Sequence, residues 1–241
     1  MNAGIFYGIG VGPGESGLMT VKGARILDRC PHVFAPTPDE DRPSRALEIA
    51  DEFIHDGAAV HDLIFPMTRD ESELQRSWAQ CARKVKSVLQ KGDSACYLTL
   101  GDPMLYSTYI YLLRQLRGQL PGVTVETVPG VMSINAAAAR TEFPLGEGGG
   151  AVQILPASGN MQEVRRGLRS GNTLVLMKVG RQLHEVLDAI ENAGRLDDAV
   201  FVGRAGLDGE RIETDPAVLR DESAEAGYLS LILVQGTGDE A

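Results

Sequence analysis

The amino-acid sequence predicts an α/β protein built from two lobes. Short apolar runs alternate with amphipathic stretches along the 241 residues, which is the pattern of β-strands joined by crossover helices. Residues 117–122, which include Pro121 and two glycines, interrupt this alternation midway, and a second α/β series follows. We therefore expect an N-terminal lobe over residues 1–118 and a C-terminal lobe over residues 119–241, with mixed sheets and a ligand site in the cleft between the lobes.

The first lobe is predicted to contain four strands and four helices. The strands are residues 5–11, 32–35, 59–63 and 95–100. The helices are residues 19–30, 44–53, 70–91 and 106–116. The helix over residues 70–91 has the clearest amphipathic pattern, because Leu74, Trp78 and Val85 belong to an apolar stripe along one of its faces.

The second lobe is predicted to contain six strands, at residues 123–128, 151–155, 173–178, 199–202, 211–214 and 228–234. Asp208 and Gly209 form a turn signal typical of hairpins, so the last strands are expected to be antiparallel. The glycine-rich residues 146–150 are expected to form a flexible loop without a chemical role.

Composition excludes several classes of function. The formal net charge of -10 argues against a nucleic-acid binder, which needs a basic face to neutralise phosphates. The three cysteines and four histidines lack the spacing of metal ligands, so no protein metal site is expected. No apolar run reaches the roughly 18 residues that span a bilayer, and the N-terminus does not resemble a signal peptide. A cytoplasmic protein that does not bind membranes is therefore expected.

The turn after the strand over residues 95–100 has the features of a ligand-binding turn. Gly101 allows a ligand or backbone to approach closely, Asp102 offers a carboxylate, and Pro103 ends the strand. Ligands of open α/β sheets bind at the carboxyl ends of strands, where this turn lies. An ordinary loop turn is the alternative, because Gly-Asp-Pro is common in loops.

The first strand runs into a second glycine-rich turn. Residues 12–17 match the G-x-G-x-x-G pattern of dinucleotide-binding folds, but the next strand ends at Pro36 and lacks the acidic residue that holds a ribose. Pro13 also removes a backbone donor that a pyrophosphate would use. The turn therefore favours contact with a flat, mostly uncharged group over a phosphate, and a tight turn without ligand contact is the alternative.

Three further strand ends carry candidate binding residues. Met132 and Ser133 lie in a sharp turn that precedes a helix of small residues. Lys178 ends a buried strand, and Arg204 follows the next one, with Ala205 beside it leaving room for a ligand. Either cation alone could be a solvent-exposed surface charge.

These segments, in this order, resemble the tetrapyrrole methylase family. The resemblance rests on residues 10–14 with 18–22, residues 101–108 and residues 129–133, and it extends over nearly the whole chain. It implies S-adenosylmethionine bound between two α/β lobes, and a homodimer. The contacts that it implies for this methyl donor are Pro13, Leu100, Gly101, Asp102, Leu105, Tyr106, Ser107, Thr108, Met132, Ser133, Lys178 and Ala205.

Within the family, three groups of residues resemble the C20-methyltransferases of cobalamin synthesis, which act on precorrin-2 or cobalt-factor II. They are residues 34–36 with 44–46, residues 65–68 and residues 106–108. Residues 204–206 differ from the Asn-Gly-Thr of uroporphyrinogen methylases, which argues against C2/C7 methylation. Some relatives have methionine at the position of Lys178.

The chemistry of methyl transfer suggests roles for two of these residues. Asp102 is expected to position the donor, because a carboxylate against the sulfonium would favour the charged ground state. Tyr106 is expected to assist the departure of a proton after methylation, and bulk water is the alternative. The substrate would carry many carboxylates, which Arg42, Arg45, Lys178 and Arg204 are expected to bind. A methylase acting on another corrin position or on a macromolecule, and a regulatory module that binds the donor without turnover, are the alternatives.

Overall fold

The structure is a computed structural model that describes residues 4–39, 41–222 and 229–237. The chain divides into two compact units, Met1–Met132 and Ser133–Ala241, and each contains a five-stranded sheet. Glu40, in the loop with Arg42 and Arg45, and Tyr228, the predicted start of the last strand, lie outside the described residues. The prediction of an α/β fold with two sheets is confirmed.

All strands of the first unit are parallel, in the order β3-β2-β4-β1-β5. Their carboxyl ends therefore lie at one edge of the sheet. The strands are β1 (Phe6–Gly10), β2 (His32–Thr37), β3 (Ala59–Ile64), β4 (Ala95–Thr99) and β5 (Val125–Val128). The helices of this unit are α1 (Val21–Leu27), α2 (Arg45–Ala50), α3 (Glu71–Leu89) and α4 (Tyr109–Gln119), with 3-10 helices at Ser16–Leu18 and Asp51–Phe53.

Side-chain caps determine where three of these helices begin. The Thr20 hydroxyl accepts a hydrogen bond from Gly23 N at 3.1 Å before α1. The Ser44 hydroxyl caps α2 in the same way, and an Asp70 carboxylate oxygen accepts from two backbone N–H groups at the start of α3. Such caps satisfy N–H groups that have no partner inside the helix, and each stabilises a helix by about 1 kcal/mol.

One strand belongs to a different sheet from the one predicted. Residues 123–128 were expected to open the second lobe, but β5 pairs in parallel with β1, from Phe6 opposite Val125 to Ile9 opposite Val128. Residues 117–122 therefore end α4 and lead into β5, and α4 is the crossover helix that two parallel strands require. The boundary between the two compact units accordingly lies between Met132 and Ser133 in the sequence, and not after residue 118.

The second unit has a mixed sheet, in the order β6-β7-β10-β8-β9. Strands β6 and β7 are parallel, whereas β10 is antiparallel to both β7 and β8, and β9 is antiparallel to β8. The antiparallel prediction for the last strands is confirmed. The strands are β6 (Val152–Pro156), β7 (Thr173–Met177), β8 (Ala199–Gly203), β9 (Arg211–Glu213) and β10 (Ser230–Val234). The helices are α5 (Ser133–Thr141), α6 (Met161–Leu168) and α7 (Leu183–Asn192), with 3-10 helices at Gly180–Gln182 and Pro216–Asp221.

Candidate functional site

Three glycine turns meet at the carboxyl edge of the first sheet. They follow β1, β4 and β5. Gly101 N donates to Gly12 O at 2.7 Å, which joins the first two turns. A Cβ on Gly10 would lie 2.5 Å from Gly101 O and 2.6 Å from Gly130 N, and a Cβ on Gly130 would overlap Gly101 O. The three backbones therefore pack at distances that only glycine permits at these positions.

Gly101 leaves an open surface at this edge. Its φ of +66° is a left-handed conformation that favours glycine. Within the described part of the chain, and apart from Gly101 and its two sequence neighbours, no heavy atom lies within 4 Å of the position that a Cβ would take. A ligand can therefore approach the backbone of Gly101 directly, as the sequence predicts for this turn.

Asp102 connects two of the turns. One carboxylate oxygen accepts a hydrogen bond from Met104 N at 2.8 Å, and the other accepts from Gly130 N at 3.0 Å. The first bond closes the turn after β4, and the second fixes that turn against the turn after β5. Because both oxygens bind backbone N–H groups, the side chain acts as a brace within the edge.

The hydroxyls of Ser107 and Thr108 face the interior of the first unit. Ser107 is 7% exposed, and its Oγ lies 2.7 Å from Thr99 Oγ1 and accepts from Tyr109 N at 3.0 Å. Thr108 Oγ1 lies 2.6 Å from the Tyr97 hydroxyl. These two hydroxyls therefore have partners within the first unit, and the donor contact expected of Ser107 and Thr108 stays a prediction.

Tyr106 has the opposite placement. Its φ is +52°, a conformation that is unfavourable for a non-glycine residue, and 41% of its surface is exposed. This conformation explains why α4 begins at Tyr109 and not at Tyr106 as predicted. The strained backbone presents the phenol at the edge of the sheet, which is a pattern that recurs at functional sites.

Other predicted donor contacts lie on or beside these turns. Pro13 is buried next to Gly12, whereas Leu100, Leu105 and Met132 are half-buried. Ser133 is half-buried and is the first residue of α5. The structure therefore brings the predicted contacts up to Met132 to one edge of the first sheet, while Ser133 belongs to the second unit.

Arg42 and Arg45 lie in and after the loop that follows β2, on the same edge. Arg42 pairs with Asp39 at 2.6 Å, and Arg45 pairs with Glu48 at 3.1 Å. The Arg42 guanidinium lowers the pKa of the Asp39 carboxyl below its usual value. Exposed pairs of this kind contribute little to stability, so a polycarboxylate ligand can replace these partners at small cost.

The second unit also has strained residues at one edge of its sheet. Strand β10 lies between β7 and β8 and begins where they end. At that edge, Lys178, Arg204 and Leu229 have φ values of +56°, +53° and +52°. Partial burial lowers the pKa of the Lys178 ammonium. Three such residues on adjacent strand ends indicate a functional constraint on this edge, where Lys178, Arg204 and the buried Ala205 were predicted to bind ligand.

Three buried polar atoms of the described residues have no hydrogen-bond partner: Thr37 Oγ1, Gln182 Oε1 and Arg204 Nε. Thr37 is the last residue of β2, Arg204 follows β8, and Gln182 ends the 3-10 helix after β7. Buried polar groups almost always have a partner, so these strand ends are positions for a ligand or an ordered water. Sequence reasoning missed Thr37 and Gln182, because an unsatisfied atom is visible only once its surroundings are known.

The described residues contain no group of three or more His, Cys, Asp or Glu side chains that is arranged to hold a metal ion. Cys30, Cys81 and Cys96 are buried free thiols, and burial raises the pKa of Cys81 to about 11. None of the helices in the described ranges is long and apolar enough to cross a membrane.

Two α/β units with strained turns and unsatisfied polar atoms at strand ends are typical of the class of proteins that bind small ligands at those ends. The family of Tetrapyrrole (Corrin/Porphyrin) Methylases matches residues 6–218. The chain therefore belongs to the tetrapyrrole methylase family, and the resemblance stated above is confirmed. Methylases of this family use S-adenosylmethionine as the methyl donor.

Individual relatives agree with this assignment. The chain is 34% identical over 231 residues to the "Probable cobalt-precorrin-2 C(20)-methyltransferase" of Methanocaldococcus jannaschii, covering 95% of both chains. It is 31% identical over 231 residues to the "Cobalt-precorrin-2 C(20)-methyltransferase" of Salmonella typhimurium, covering 96% of both. The fold matches that of uroporphyrin-III C-methyl transferase from Thermus thermophilus complexed with S-adenosylhomocysteine, with a TM-score of 0.67, 22% identity, and coverage of 96% of this chain and 97% of that chain.

Proposed function

We propose that this protein transfers a methyl group from S-adenosylmethionine to C20 of precorrin-2 or cobalt-factor II in cobalamin biosynthesis. Membership of the tetrapyrrole methylase family supports the reaction class, and the names of two relatives support the position. The observation that carries the donor site is the joined set of glycine turns, in which Gly101 presents open backbone.

Bound S-adenosylmethionine supplies a methyl group on a positively charged sulfur. The protein's task is to hold the acceptor carbon roughly 3 to 3.5 Å from that methyl group and in line with the bond that breaks. Turns locked by glycine contacts and by Asp102 suit this task, because they do not need to rearrange at the moment of reaction. Leu100, Leu105 and Met132 are half-buried at the same edge and are proposed as apolar contacts of the donor.

Asp102 is proposed to position the donor and not to act as a base. The positive charge of the sulfonium disappears as the methyl group is transferred. A carboxylate against the sulfonium would therefore stabilise the ground state more than the transition state and slow the reaction. Here both carboxylate oxygens already accept backbone N–H bonds. Pro13, Gly101 and Ser133 are proposed as further donor contacts, together with Lys178 and Ala205 of the second unit.

Tyr106 is proposed to assist the loss of a proton after methylation, since its phenol is exposed directly after the donor turn. The substrate's carboxylates are proposed to bind Arg42, Arg45, Lys178 and Arg204. We further propose a cytoplasmic homodimer without nucleic-acid partners, in agreement with the net charge of -10.

The decisive experiment incubates the purified protein with S-adenosylmethionine and either precorrin-2 or cobalt-factor II. Mass spectrometry is expected to show one added methyl group, and NMR is expected to place it at C20. Comparison of the two substrates decides whether the macrocycle arrives with or without cobalt. Tight donor binding without methylation of either tetrapyrrole would overturn the proposal, and methylation at another carbon would overturn its position.

A further inference from the structure

Three exposed apolar side chains lie at the carboxyl edge of the first sheet. Met67 is 76% exposed and is the most exposed large apolar residue among those described. Met104 is 59% exposed and Tyr106 is 41% exposed. Single exposed apolar residues are common, but three at one edge beside a ligand-binding turn are typical of a binding surface.

The sheet order brings these side chains to neighbouring strand ends. Met67 follows β3, whereas Met104 and Tyr106 follow β4, and β2 lies between the two strands. Because all three strands are parallel, their ends lie on the same edge. Where β2 pairs with both neighbours, β3 and β4 are two strand spacings apart, roughly 10 Å. The loop after β2, which carries Arg42, therefore emerges between Met67 and Met104.

The pairing of the strands shows that β2 and β4 separate at this place. Strand β2 pairs with β3 up to Thr37 opposite Ile64, but it pairs with β4 only up to Phe34 opposite Tyr97. Beyond Phe34 the backbones of β2 and β4 are no longer joined. The two strands thus diverge at this edge, and the segments that follow them carry the two arginines after β2 and Met104 after β4.

We propose that Met67, Met104 and Tyr106 form an apolar platform that binds the flat face of the tetrapyrrole, while Arg42 and Arg45 bind its carboxylates. This inference rests on the proposed function, because its occupant is the proposed substrate. A tetrapyrrole is a wide conjugated ring system with charged groups on its rim, and it needs apolar contact in the centre and cations at the periphery. The thioether of methionine and the ring of tyrosine both bind conjugated surfaces favourably.

The test replaces each methionine by glutamine, which has a similar length but is polar. The readout is equilibrium binding of cobalt-factor II and of precorrin-2, followed by their absorbance without turnover, together with the KM for each where turnover occurs. Met67→Gln and Met104→Gln are each expected to weaken tetrapyrrole binding roughly tenfold, since each removes apolar burial. Affinity for S-adenosylhomocysteine is expected to stay unchanged, and Met67→Leu and Met104→Leu are expected to keep tetrapyrrole binding.

Val60→Thr is the matched control. Val60 is 46% exposed and lies near the amino end of β3, the same strand that Met67 follows at its carboxyl end. This substitution removes exposed apolar surface away from the apolar platform, so it is expected to leave tetrapyrrole binding unchanged. Circular dichroism of every variant verifies that the fold is retained.

Several outcomes would overturn the inference. One is a double variant, Met67→Gln with Met104→Gln, that binds both tetrapyrroles as tightly as the parent protein does. Another is a double variant whose sedimentation coefficient changes while its tetrapyrrole binding does not, because this surface would then be a contact between copies of the chain. If the parent protein binds a tetrapyrrole but does not methylate it, the proposed function fails. The tetrapyrrole affinities of the variants relative to the parent protein then still test the apolar platform. If the parent protein binds neither tetrapyrrole, both proposals fail.

Discussion

Replacing Asp102 by alanine removes the brace between the turns after β4 and β5. Two hydrogen bonds to a charged carboxylate are lost, one from Met104 N and one from Gly130 N. Such bonds are each worth about 1.5 to 3 kcal/mol. Water can replace the carboxylate at the exposed Met104 N–H, but the Gly130 bond is partly buried and its loss frees the turn after β5. We therefore expect donor affinity to fall by about 1 to 2 kcal/mol, or roughly tenfold.

Calorimetric titration with S-adenosylhomocysteine measures this loss directly. Asp102→Asn is the informative companion variant, because its amide oxygen can accept one of the two bonds while its NH2 group can accept neither. Its affinity is expected to lie between those of the parent protein and of Asp102→Ala. Urea unfolding under the same conditions separates weaker binding from loss of the fold.

Two results would refute this reasoning. Donor affinity of Asp102→Ala within twofold of the parent value would show that the brace does not shape the donor site. A loss of kcat at saturating donor that depends on pH, with donor affinity retained, would show that the carboxylate takes part in proton transfer. A positioning role predicts the reverse, with weaker donor binding and an unchanged pH profile of kcat.

Further predictions concern charge, strain and pH. Arg42→Ala combined with Arg45→Ala is expected to raise the tetrapyrrole KM about tenfold or more and to leave S-adenosylhomocysteine affinity unchanged, as steady-state kinetics and calorimetry can verify. Lys178 and Glu142 both have a left-handed backbone, which glycine adopts without strain. Lys178→Gly and Glu142→Gly are therefore each expected to be more stable than the corresponding alanine variant by about 1 kcal/mol in urea unfolding. Only the Lys178 change is expected to weaken ligand binding. Burial, and then the neighbouring His32, lower the pKa of His61, so the folded state binds protons less readily than the unfolded state. Stability is therefore expected to be greatest above pH ~6.5 and to fall as the pH drops through that value, and His61→Phe is expected to flatten this dependence in urea midpoints measured from pH 8 to pH 5.5.

The sequence predicts the elements well where the interactions that form them join residues close together in the chain. Asp70 is the cap of α3 because its carboxylate accepts from N–H groups two and three residues away, and the apolar stripe of that helix packs into the core of the first unit. The turn at Asp208 and Gly209 likewise joins two antiparallel strands. In each case the interaction that determines the structure lies within a few residues of the signal.

The sequence does not show those features that depend on contacts between residues far apart in the chain. The pairing of β5 with β1 joins segments about 120 residues apart, so no local break could show which sheet residues 125–128 would enter. For Ser107, the sequence does not show the partners of the hydroxyl, which are Thr99 on the preceding strand and the backbone N–H of Tyr109 at the start of α4. Gln182 carries no recognisable motif at all, and only the packing around it shows that its oxygen lacks a partner.

The order of the strands explains why the turn after β4 carries so many of the candidate residues. Right-handed crossovers place α1 and α2, which follow β1 and β2, on one face of the sheet, and α3 and α4 share a core on the other face. Strand β4 lies between β2 and β1, so on both sides its neighbours lead to the opposite face. Ligands bind at such points because the connections diverge and leave a crevice. Gly101 and Asp102 bond to the turns after β1 and β5, while Met104 follows on the connection beside β2. This position between two sets of turns is the reason why we propose that the turn after β4 holds the donor methyl group against the macrocycle.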